Sequence, residues 1–209
     1  NIDIDQVEAK ITSKTVAIVP VHLYGQCADM EPLLALAERN KLFVIEDYAQ
    51  AFGVEYTFKD GSVKKGGTMG TIGCTSFFPS KNLGCYGDGG ALVTTDKLLA
   101  EKIRIISNHG QRVKYYHDLI GVNSRLDTLQ AAILDVKIKH IKKYEKSRQA
   151  VGDNYDKELS GLPFLSIPVR SANSSHVFHQ YTLQLKGIDR DDFRQYLESH
   201  GIPTMVYYP

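Results

Sequence analysis

Short apolar runs alternate with amphipathic stretches along the first part of the chain. Residues 16–21 form an apolar run that predicts a buried strand, and residues 42–45 form a second run typical of a strand covered on both faces. Between them, residues 29–40 show helical periodicity with Asp29 in the N-cap position. Strand, helix and strand within about 30 residues indicate a βαβ unit, and hence a parallel pair of strands.

The remaining pattern predicts further short strands and several helices. Residues 125–159 carry the longest helical pattern, capped by Asn123 or Ser124, and its apolar stripe is Leu126, Leu129, Ile133, Val136 and Ile141. The other predicted elements are a helix over 3–10, a hairpin over 54–63 that turns at Asp60-Gly61, strands over 72–77, 91–94 and 176–185, and helices over 96–108 and 190–200. Alternating strands and helices indicate an α/β fold.

Composition restricts the class of protein. Of the 209 residues, 43% are hydrophobic and 23% are charged, and the net charge of +1 gives no field that favours nucleic acid or a membrane as a partner. No apolar stretch reaches the ~20 residues that span a bilayer, and the first residues do not have the pattern of a secretory signal. Three cysteines without CxxC spacing predict reduced thiols and a cytoplasmic location.

Lys81 gives the strongest chemical signal in the sequence. It lies in a Ser/Gly-containing segment, downstream of an apolar run that ends in Glu46-Asp47. Taken alone, Lys81 is typical of a surface lysine. A carboxylate at the end of a buried strand, followed by a lysine in a turn of small residues, nevertheless suits pyridoxal phosphate, which needs an amine for its aldehyde and an anion for its ring nitrogen. Gln50 is close enough in sequence to Asp47 to reach the edge of the same ring.

Several of these positions have an alternative interpretation. Asp47 suits a Mg²⁺ ligand after an apolar strand, but the chain lacks the G-x-x-x-x-G-K-[ST] loop that accompanies such a site. Ser76 and Ser80 are candidate phosphate ligands or ordinary strand-end and turn serines. The polar loop over residues 108–112 suits substrate binding or a helix C-terminal turn. The histidines have no metal-ligating spacing, so no metal site is predicted.

Four segments of the chain together resemble one protein family. They are residues 45–51, 76–84, 86–91 and 123–127. They resemble the DegT/StrS-type nucleotide-sugar aminotransferases, which are pyridoxal phosphate enzymes of fold type I. Residues 108–118 are most similar to the branch that aminates UDP-3-keto-sugars, including uronates, for bacterial surface polysaccharides. The resemblance implies a three-layer large domain with a mainly parallel sheet over residues 1–140, and part of a small C-terminal α+β domain over residues 141–209.

The resemblance also implies roles for single residues. Lys81 resembles the lysine that bonds to the cofactor, Asp47 the partner of the ring nitrogen, and Gln50 the residue at the ring hydroxyl. The other contacts that it implies are Ala49 beside the ring face, Ser76 at the phosphate, Asn123 at the phosphate of the neighbouring subunit, and His109 and Arg125 at the substrate. The implied partners are a UDP-linked 3-keto-sugar, glutamate as amino donor, and a second copy of the chain in a homodimer.

Other functions stay open beside transamination. In a related sugar dehydratase a histidine replaces the lysine, so Lys81 favours transamination. The chain begins at Asn1, without a methionine or the phosphate-binding turn that precedes this region in the family, and it ends after Pro209 without a closing element. We therefore expect a piece of a longer enzyme that binds the cofactor weakly or not at all. An inert fragment and a regulatory or assembly module of the same fold are the alternatives.

Overall fold

The main sheet has four strands, three of which are parallel. The structure is a computed structural model that describes residues 1–209. Its strands are β1 (Ala17–Ile18), β2 (Phe43–Asp47), β3 (Glu55–Thr57), β4 (Val63–Lys65), β5 (Ile72–Ser76), β6 (Gly90–Val93), β7 (Gln111–Val113), β8 (Tyr116–His117), β9 (Leu165–Ser166) and β10 (Gln184–Leu185). The sheet order is β1-β2-β5-β6, with β6 antiparallel to β5, and the other strands form three antiparallel pairs.

Aspartate side chains begin three of the six helices. The helices are α1 (Ile4–Glu8), α2 (Met30–Arg39), α3 (Lys97–Ser107), α4 (Thr128–Ile138), α5 (Ile141–Leu159) and α6 (Arg190–Ser199). Asp3, Asp96 and Asp189 accept hydrogen bonds from the first free N–H groups of α1, α3 and α6. None of these helices combines the length and the apolar character that crossing a membrane requires.

Helix α2 covers one face of the sheet at β1 and β2. Its buried residues Met30, Leu33 and Ala37 recur at the three- and four-residue spacing of one helical face. They share a core with Ile18 of β1 and Val44 of β2. The predicted βαβ unit with parallel strands is therefore confirmed.

The opposite face of the sheet is open. Val19, Phe43 and Leu92 are 53%, 60% and 52% exposed. The prediction that the second strand is covered on both faces was wrong, because burial alternates from the exposed Phe43 to the buried Val44. Asp47 lies at the end of the same strand, on the face to which Phe43 belongs.

Three predicted elements have different boundaries in the structure. The helix expected over residues 125–159 is divided between α4 and α5 at Lys139-His140, and Asp127, not Asn123 or Ser124, takes the N-cap position. The strand expected over 176–185 is reduced to β10, because Phe178 has a φ of 44° and interrupts the extended chain. The strand expected over 16–21 is limited to Ala17–Ile18, with a single bridge from Val21 to Asp47.

Much of the predicted apolar stripe of the long helix is exposed within the chain. Leu129 and Val136 are 70% and 58% exposed, whereas Leu134, which lies outside the stripe, is buried. Leu134 packs against Phe77, close to the Lys81 loop. Apolar residues occur on several faces of α4, so the periodicity did not identify the face that is buried.

Candidate active site

The carboxyl ends of β2 and β5 bring three polar side chains to one edge of the sheet. Asp47 ends β2 in register with Cys74 of β5, and Ser76 follows two residues later on the same face. Burial, and then the charge of Asp47, raises the pKa of the Cys74 thiol, as expected for neighbouring side chains. The carboxyl edge of a parallel sheet is where ligands bind in open α/β folds.

A tight turn follows Asp47 and orients its carboxylate. The backbone N–H of Ala49 donates to Asp47 Oδ1 at 3.0 Å, which places Ala49 beside the acid. No lysine, arginine or histidine forms an ion pair with Asp47. The acid is therefore held in place by the turn and is free to meet a cationic group of a ligand.

The Lys81 loop is anchored on both sides of the lysine. The Lys81 N–H donates to the Phe78 carbonyl at 2.9 Å, and the buried Asn82 side chain donates from Nδ2 to the Val177 carbonyl at 3.0 Å. Leu83 is 2% exposed and packs with Phe77. The backbone is fixed in this way, while the half-buried Lys81 side chain makes no hydrogen bond or ion pair of its own.

A cleft of about 760 Å³ opens beside Lys81, between the loop, α5 and residues 178–181. Its lining includes the cations Lys81, Lys137 and Arg148, the hydroxyl groups of three tyrosines and two serines, and no carboxylate. Asp47 does not line it. The charge and the hydroxyl groups of this cleft suit an anionic ligand that can accept hydrogen bonds.

His179 faces this cleft as a neutral side chain. Burial, then the charges of Lys81 and Arg148, lower the pKa of His179 to about 4. Because Asn82 Nδ2 is bound to a carbonyl, its Oδ1 faces His179 Nδ1 at 3.3 Å and Nδ1 must carry the hydrogen. The Nε2 lone pair of His179 is therefore available to a donor. In the sequence this histidine was considered only as a metal ligand, and no local pattern marked it as part of a cleft.

Gln50 is buried and hydrogen-bonded at both ends of its amide. Its Oε1 accepts the N–H of Tyr24 at 2.7 Å, and its Nε2 donates to the Tyr208 hydroxyl at 2.8 Å. Sequence reasoning selected Gln50 but missed both partners, which lie 26 and 158 positions away. Tyr24 has a φ of 60°, a backbone conformation that no local motif predicts for tyrosine.

Glu46 supports the site from the buried face of the sheet. It is fully buried and accepts hydrogen bonds from His22 and from the backbone of Gly67, Met69 and Gly70. Burial acts to raise the pKa of Glu46, but the bonds from His22, Gly70 and Gly67 outweigh it and hold the pKa below its usual value. The strand residue next to Asp47 is thus fixed as a buried carboxylate.

The remaining predicted residues form a separate group between α3 and α4. His109 donates its N–H to the Val122 carbonyl at 2.9 Å, and Arg125 Nε donates to Asn123 Oδ1 at 3.1 Å. His109, Asn123 and Arg125 are all exposed. No hydrogen bond joins them to Lys81 or Asp47 within the chain.

Asp47, Gln50, Ser76 and Lys81 supply the chemical groups that pyridoxal phosphate requires. Asp47 supplies an anion without an ion-pair partner, and Lys81 an amine without a hydrogen-bond partner. Gln50 supplies an amide N–H of fixed orientation. Ser76 Oγ accepts the Phe78 N–H at 3.2 Å and keeps its own hydrogen for an acceptor such as a phosphate oxygen. The residues present therefore fit this cofactor.

Comparison with known sequences gives full-length similarity to one family. The model of the DegT/DnrJ/EryC1/StrS aminotransferase family matches residues 1–209. The chain is 49% identical to a pleiotropic regulatory protein of Geobacillus stearothermophilus and 46% identical to the UDP-2-acetamido-2-deoxy-3-oxo-D-glucuronate aminotransferase of Pseudomonas aeruginosa, each over 100% of its length. It is 42% identical, over 97% of its length, to the dTDP-3-amino-3,4,6-trideoxy-alpha-D-glucose transaminase of Streptomyces venezuelae.

A solved structure agrees with this similarity. The chain superposes on the crystal structure of S. venezuelae DesV in complex with a ketimine intermediate with a TM-score of 0.93 and 42% identity, over 100% of its own length and 54% of that chain. It covers 55%, 56% and 52% of the three relatives named above, so it spans about half of their length. The expected α/β architecture of fold type I is confirmed by this match.

Proposed function

Because the chain belongs to the DegT/DnrJ/EryC1/StrS aminotransferase family, we propose that it carries the cofactor-binding part of an enzyme that transfers an amino group to a nucleotide-linked keto-sugar, with pyridoxal phosphate as cofactor. The observation that carries the proposal is that Asp47 has no ion-pair partner and Lys81 has no hydrogen-bond partner within the chain. Asp47 ends β2, and Lys81 follows β5 in an anchored loop. The large domain then comprises residues 1–140, and residues 141–209 belong to a smaller domain.

Each residue has a distinct task in this proposal. When bound, pyridoxal phosphate supplies an aldehyde and a ring that accepts electrons from the substrate carbon. The Asp47 carboxylate would keep the ring nitrogen protonated through its opposite charge. The Lys81 Nζ would supply the amine that holds the cofactor and the base that moves a proton at the substrate carbon. Gln50 Nε2 would serve as a donor to the ring oxygen, and Ser76 Oγ as a donor to the phosphate.

Two classes of nucleotide are candidates for the acceptor. Among the relatives, one aminotransferase is named for a UDP-sugar and another for a dTDP-sugar. We favour a UDP-linked 3-keto-sugar and glutamate as donor, in bacterial surface polysaccharide synthesis in the cytoplasm, because residues 108–118 resemble that branch. His109 and Arg125 would bind the substrate, since the planar fork of an arginine suits a carboxylate or a diphosphate.

The exposure of Asn123 and Arg125 supports a homodimer. Asn123 and Arg125 are exposed and far in sequence from Lys81, and we assign them to the site of a neighbouring copy. The adjacent hairpin of β7 and β8 and the segment after it expose apolar side chains that a partner would cover, with Tyr115 77% and Ile120 100% exposed. In this arrangement Asn123 reaches the cofactor phosphate and Arg125 the substrate of the other subunit.

Covalent labelling tests the assignment of Lys81. The full-length enzyme is incubated with pyridoxal phosphate at substoichiometric concentration, reduced with borohydride and mapped by peptide mass spectrometry. We expect the pyridoxyl group on Lys81, no label in Lys81→Arg, and unchanged labelling in Lys97→Arg, which alters an exposed lysine at the start of α3. A label on Lys97 or Lys102 in place of Lys81 contradicts the assignment.

Amino transfer tests the substrate class. Purified enzyme with glutamate is offered UDP-linked and dTDP-linked 3-keto-sugars, and 2-oxoglutarate formation is measured. We expect the higher kcat/KM with the UDP-linked acceptor. Robust amino transfer to an α-keto acid, with none to any nucleotide sugar, refutes the proposed function.

A regulatory protein of the same fold is the second candidate function. The name of the G. stearothermophilus relative, which is 49% identical, favours it. The joint presence of Lys81, Asp47 and Gln50 favours the enzyme, because a protein without this chemistry has no need to keep all three. Failure of both the labelling and the transfer experiments would favour the regulatory function.

A further inference from the structure

The amide of Gln50 is held in one orientation by the main chain. A backbone N–H can only donate, so the atom that faces Tyr24 at 2.7 Å must be the amide oxygen. The amide nitrogen consequently faces the other way, where it donates to Tyr208 at 2.8 Å. Two hydrogens are bonded to that nitrogen, and Tyr208 uses one of them. The second is left for an acceptor at the sheet edge.

A second hydrogen bond joins the same two segments of the chain. The Tyr24 hydroxyl donates to the Tyr207 carbonyl at 2.6 Å, across 183 sequence positions. Burial, and then the neighbouring Tyr208, raises the pKa of Tyr24, so its hydroxyl stays protonated and remains a donor at neutral pH. We call the four residues Tyr24, Gln50, Tyr207 and Tyr208 the Gln50 clasp.

The clasp includes a residue in an unfavourable backbone conformation. Tyr24 has φ 60° and ψ 2°, and a non-glycine residue in this region costs about 1–2 kcal/mol. Such a conformation persists only where surrounding contacts determine it, and here both the N–H and the hydroxyl of Tyr24 are bound. The strain therefore points to a requirement for the Tyr24 N–H at this position.

The clasp connects the turn that carries Asp47 with the end of the described chain. Gln50 lies three residues after Asp47, and the turn between them is closed by the Ala49 N–H on the Asp47 carboxylate. On the other side, Arg194 of α6 donates to the Thr204 carbonyl at 3.4 Å, which ties the segment before Tyr208 to that helix. The orientation of Gln50 therefore depends on a segment from the C-terminal part of the fold.

From this geometry we infer that Tyr208 is a positioning residue: the Tyr24 N–H sets which atom of the Gln50 amide faces away from it, and the Tyr208 hydroxyl holds Nε2 at the place where it would donate to the ring oxygen of pyridoxal phosphate. The inference rests on the proposed function. A glutamine held this way stabilises an anionic ring oxygen through an N–H donor, whereas the flipped amide would present a carbonyl oxygen and repel it. Tyr208 acts through Gln50 and does not itself touch the reacting atoms.

Three tyrosine variants separate this role from a general effect on folding. Tyr208→Phe removes the hydroxyl acceptor and keeps the ring, and Tyr24→Phe removes the second bond and keeps the N–H that binds Gln50. Tyr207→Phe is the matched control, because its hydroxyl contacts only the exposed Met205 sulfur at 3.5 Å and its carbonyl is retained.

The first measurement uses the protein without cofactor. In ¹⁵N–¹H spectra, with the Gln50 side-chain amide assigned by its loss in Gln50→Glu, we expect its resonances to move in Tyr208→Phe and to stay in Tyr207→Phe. Amide hydrogen exchange at Tyr24 should accelerate in Tyr208→Phe. Unchanged Gln50 resonances in Tyr208→Phe would overturn the clasp, whatever the cofactor does.

The second measurement is a titration with pyridoxal phosphate, followed by visible absorbance at several pH values. We expect Tyr208→Phe to raise the Kd by about 5- to 20-fold, as for the loss of one supported hydrogen bond, and to shift the pH at which the absorbance changes. Tyr207→Phe should keep both within about twofold of the wild type. A merely structural role would lower the unfolding midpoint without moving the absorbance titration.

The two measurements distinguish the ways in which the reasoning can fail. If the Gln50 resonances move but the Kd and the absorbance titration of Tyr208→Phe match those of the wild type, the positioning role is overturned and the proposed function stands. If the full-length enzyme shows no saturable binding up to millimolar pyridoxal phosphate, the proposed function fails and the inference that rests on it fails with it.

Discussion

The buried carboxylate of Glu46 gives the sharpest prediction about stability. Its Oε1 accepts the N–H groups of Met69 at 2.6 Å and Gly70 at 2.5 Å. Its Oε2 accepts from Gly67 at 2.8 Å and from His22 Nε2 at 2.9 Å. All four are donors, so both oxygens must be acceptors. We therefore consider Glu46→Gln, which replaces one oxygen by an NH₂ group of nearly the same size.

The substitution leaves two donors without an acceptor. His22 cannot adapt by changing its tautomer at no cost, because its Nδ1 accepts the Ala28 N–H at 3.2 Å and Nε2 must then carry the hydrogen. Each buried donor that loses its partner costs about 1–3 kcal/mol, so we expect Glu46→Gln to lower the free energy of unfolding by about 2–6 kcal/mol. This is a large part of the ~5–15 kcal/mol that stabilises a typical domain.

Urea unfolding followed by circular dichroism measures this loss. Glu55→Gln is the matched control, because Glu55 forms an ion pair with Lys65 at 2.5 Å but its side chain is 46% exposed. Exposed pairs contribute about 0–1 kcal/mol, so the control should remain close to the wild type. Equal effects of the two substitutions would refute the reasoning, since burial and the number of donors would then have no influence.

The pH dependence gives a second check on Glu46. Because the pKa of Glu46 is lowered in the folded state, its contribution is present above the unfolded value of 4.5 and is lost as the pH falls through the folded value. The difference in unfolding free energy between wild type and Glu46→Gln should therefore shrink in acid. A difference that is constant from pH 7 to pH 3 contradicts the assignment of a buried carboxylate.

Three further predictions concern the residue at the cofactor ring, the loss of stability at low pH, and the backbone position of a glycine. Asp47→Asn should keep pyridoxal phosphate bound but lower kcat by orders of magnitude, because the amide cannot hold the ring nitrogen protonated; a near wild-type rate would assign the acid another task. Burial lowers the pKa of His176 to about 4, so the contribution of neutral His176 to stability is fully present above pH 6.5. Between pH 6.5 and pH 4 the free energy of unfolding should fall by up to about 3 kcal/mol, and the fall should be smaller in His176→Asn. Gly53→Ala places a methyl carbon 1.9 Å from Glu145 Oε1 at a φ of 93°, whereas Gly61→Ala, at a φ of 82°, meets no atom within 4 Å. In urea unfolding the first should therefore cost at least about 1 kcal/mol more than the second, and equal costs would contradict the clash.

The comparison of expected and observed elements shows where local pattern is reliable. The βαβ unit, the hairpin at Asp60-Gly61 and the helix capped by Asp96 were confirmed, because each depends on periodicity or turn chemistry within a few residues. The division between α4 and α5, and the exposed face of the sheet at Phe43, were not predicted. Both depend on which surfaces meet in the folded chain, and hydrophobic periodicity does not record that.

The sequence by itself determined which chemical groups the candidate site contains and in which local segments they lie. Asp47 and Gln50 share one turn, and Lys81 lies in one loop with its neighbours, so a short stretch of residues specifies each. The predicted family is confirmed along the whole chain for the same reason, since such motifs are local. The roles of the individual residues stay predictions until labelling and mutation test them.

Only the tertiary structure decided which distant groups support these residues. It brought Tyr208 to Gln50, His179 to the Lys81 loop and His22 to Glu46. A hydrogen bond across 158 positions forms only when separate elements pack together, because the free energy that closes so long a loop comes from the core and not from the bond. No local pattern around either residue encodes that contact.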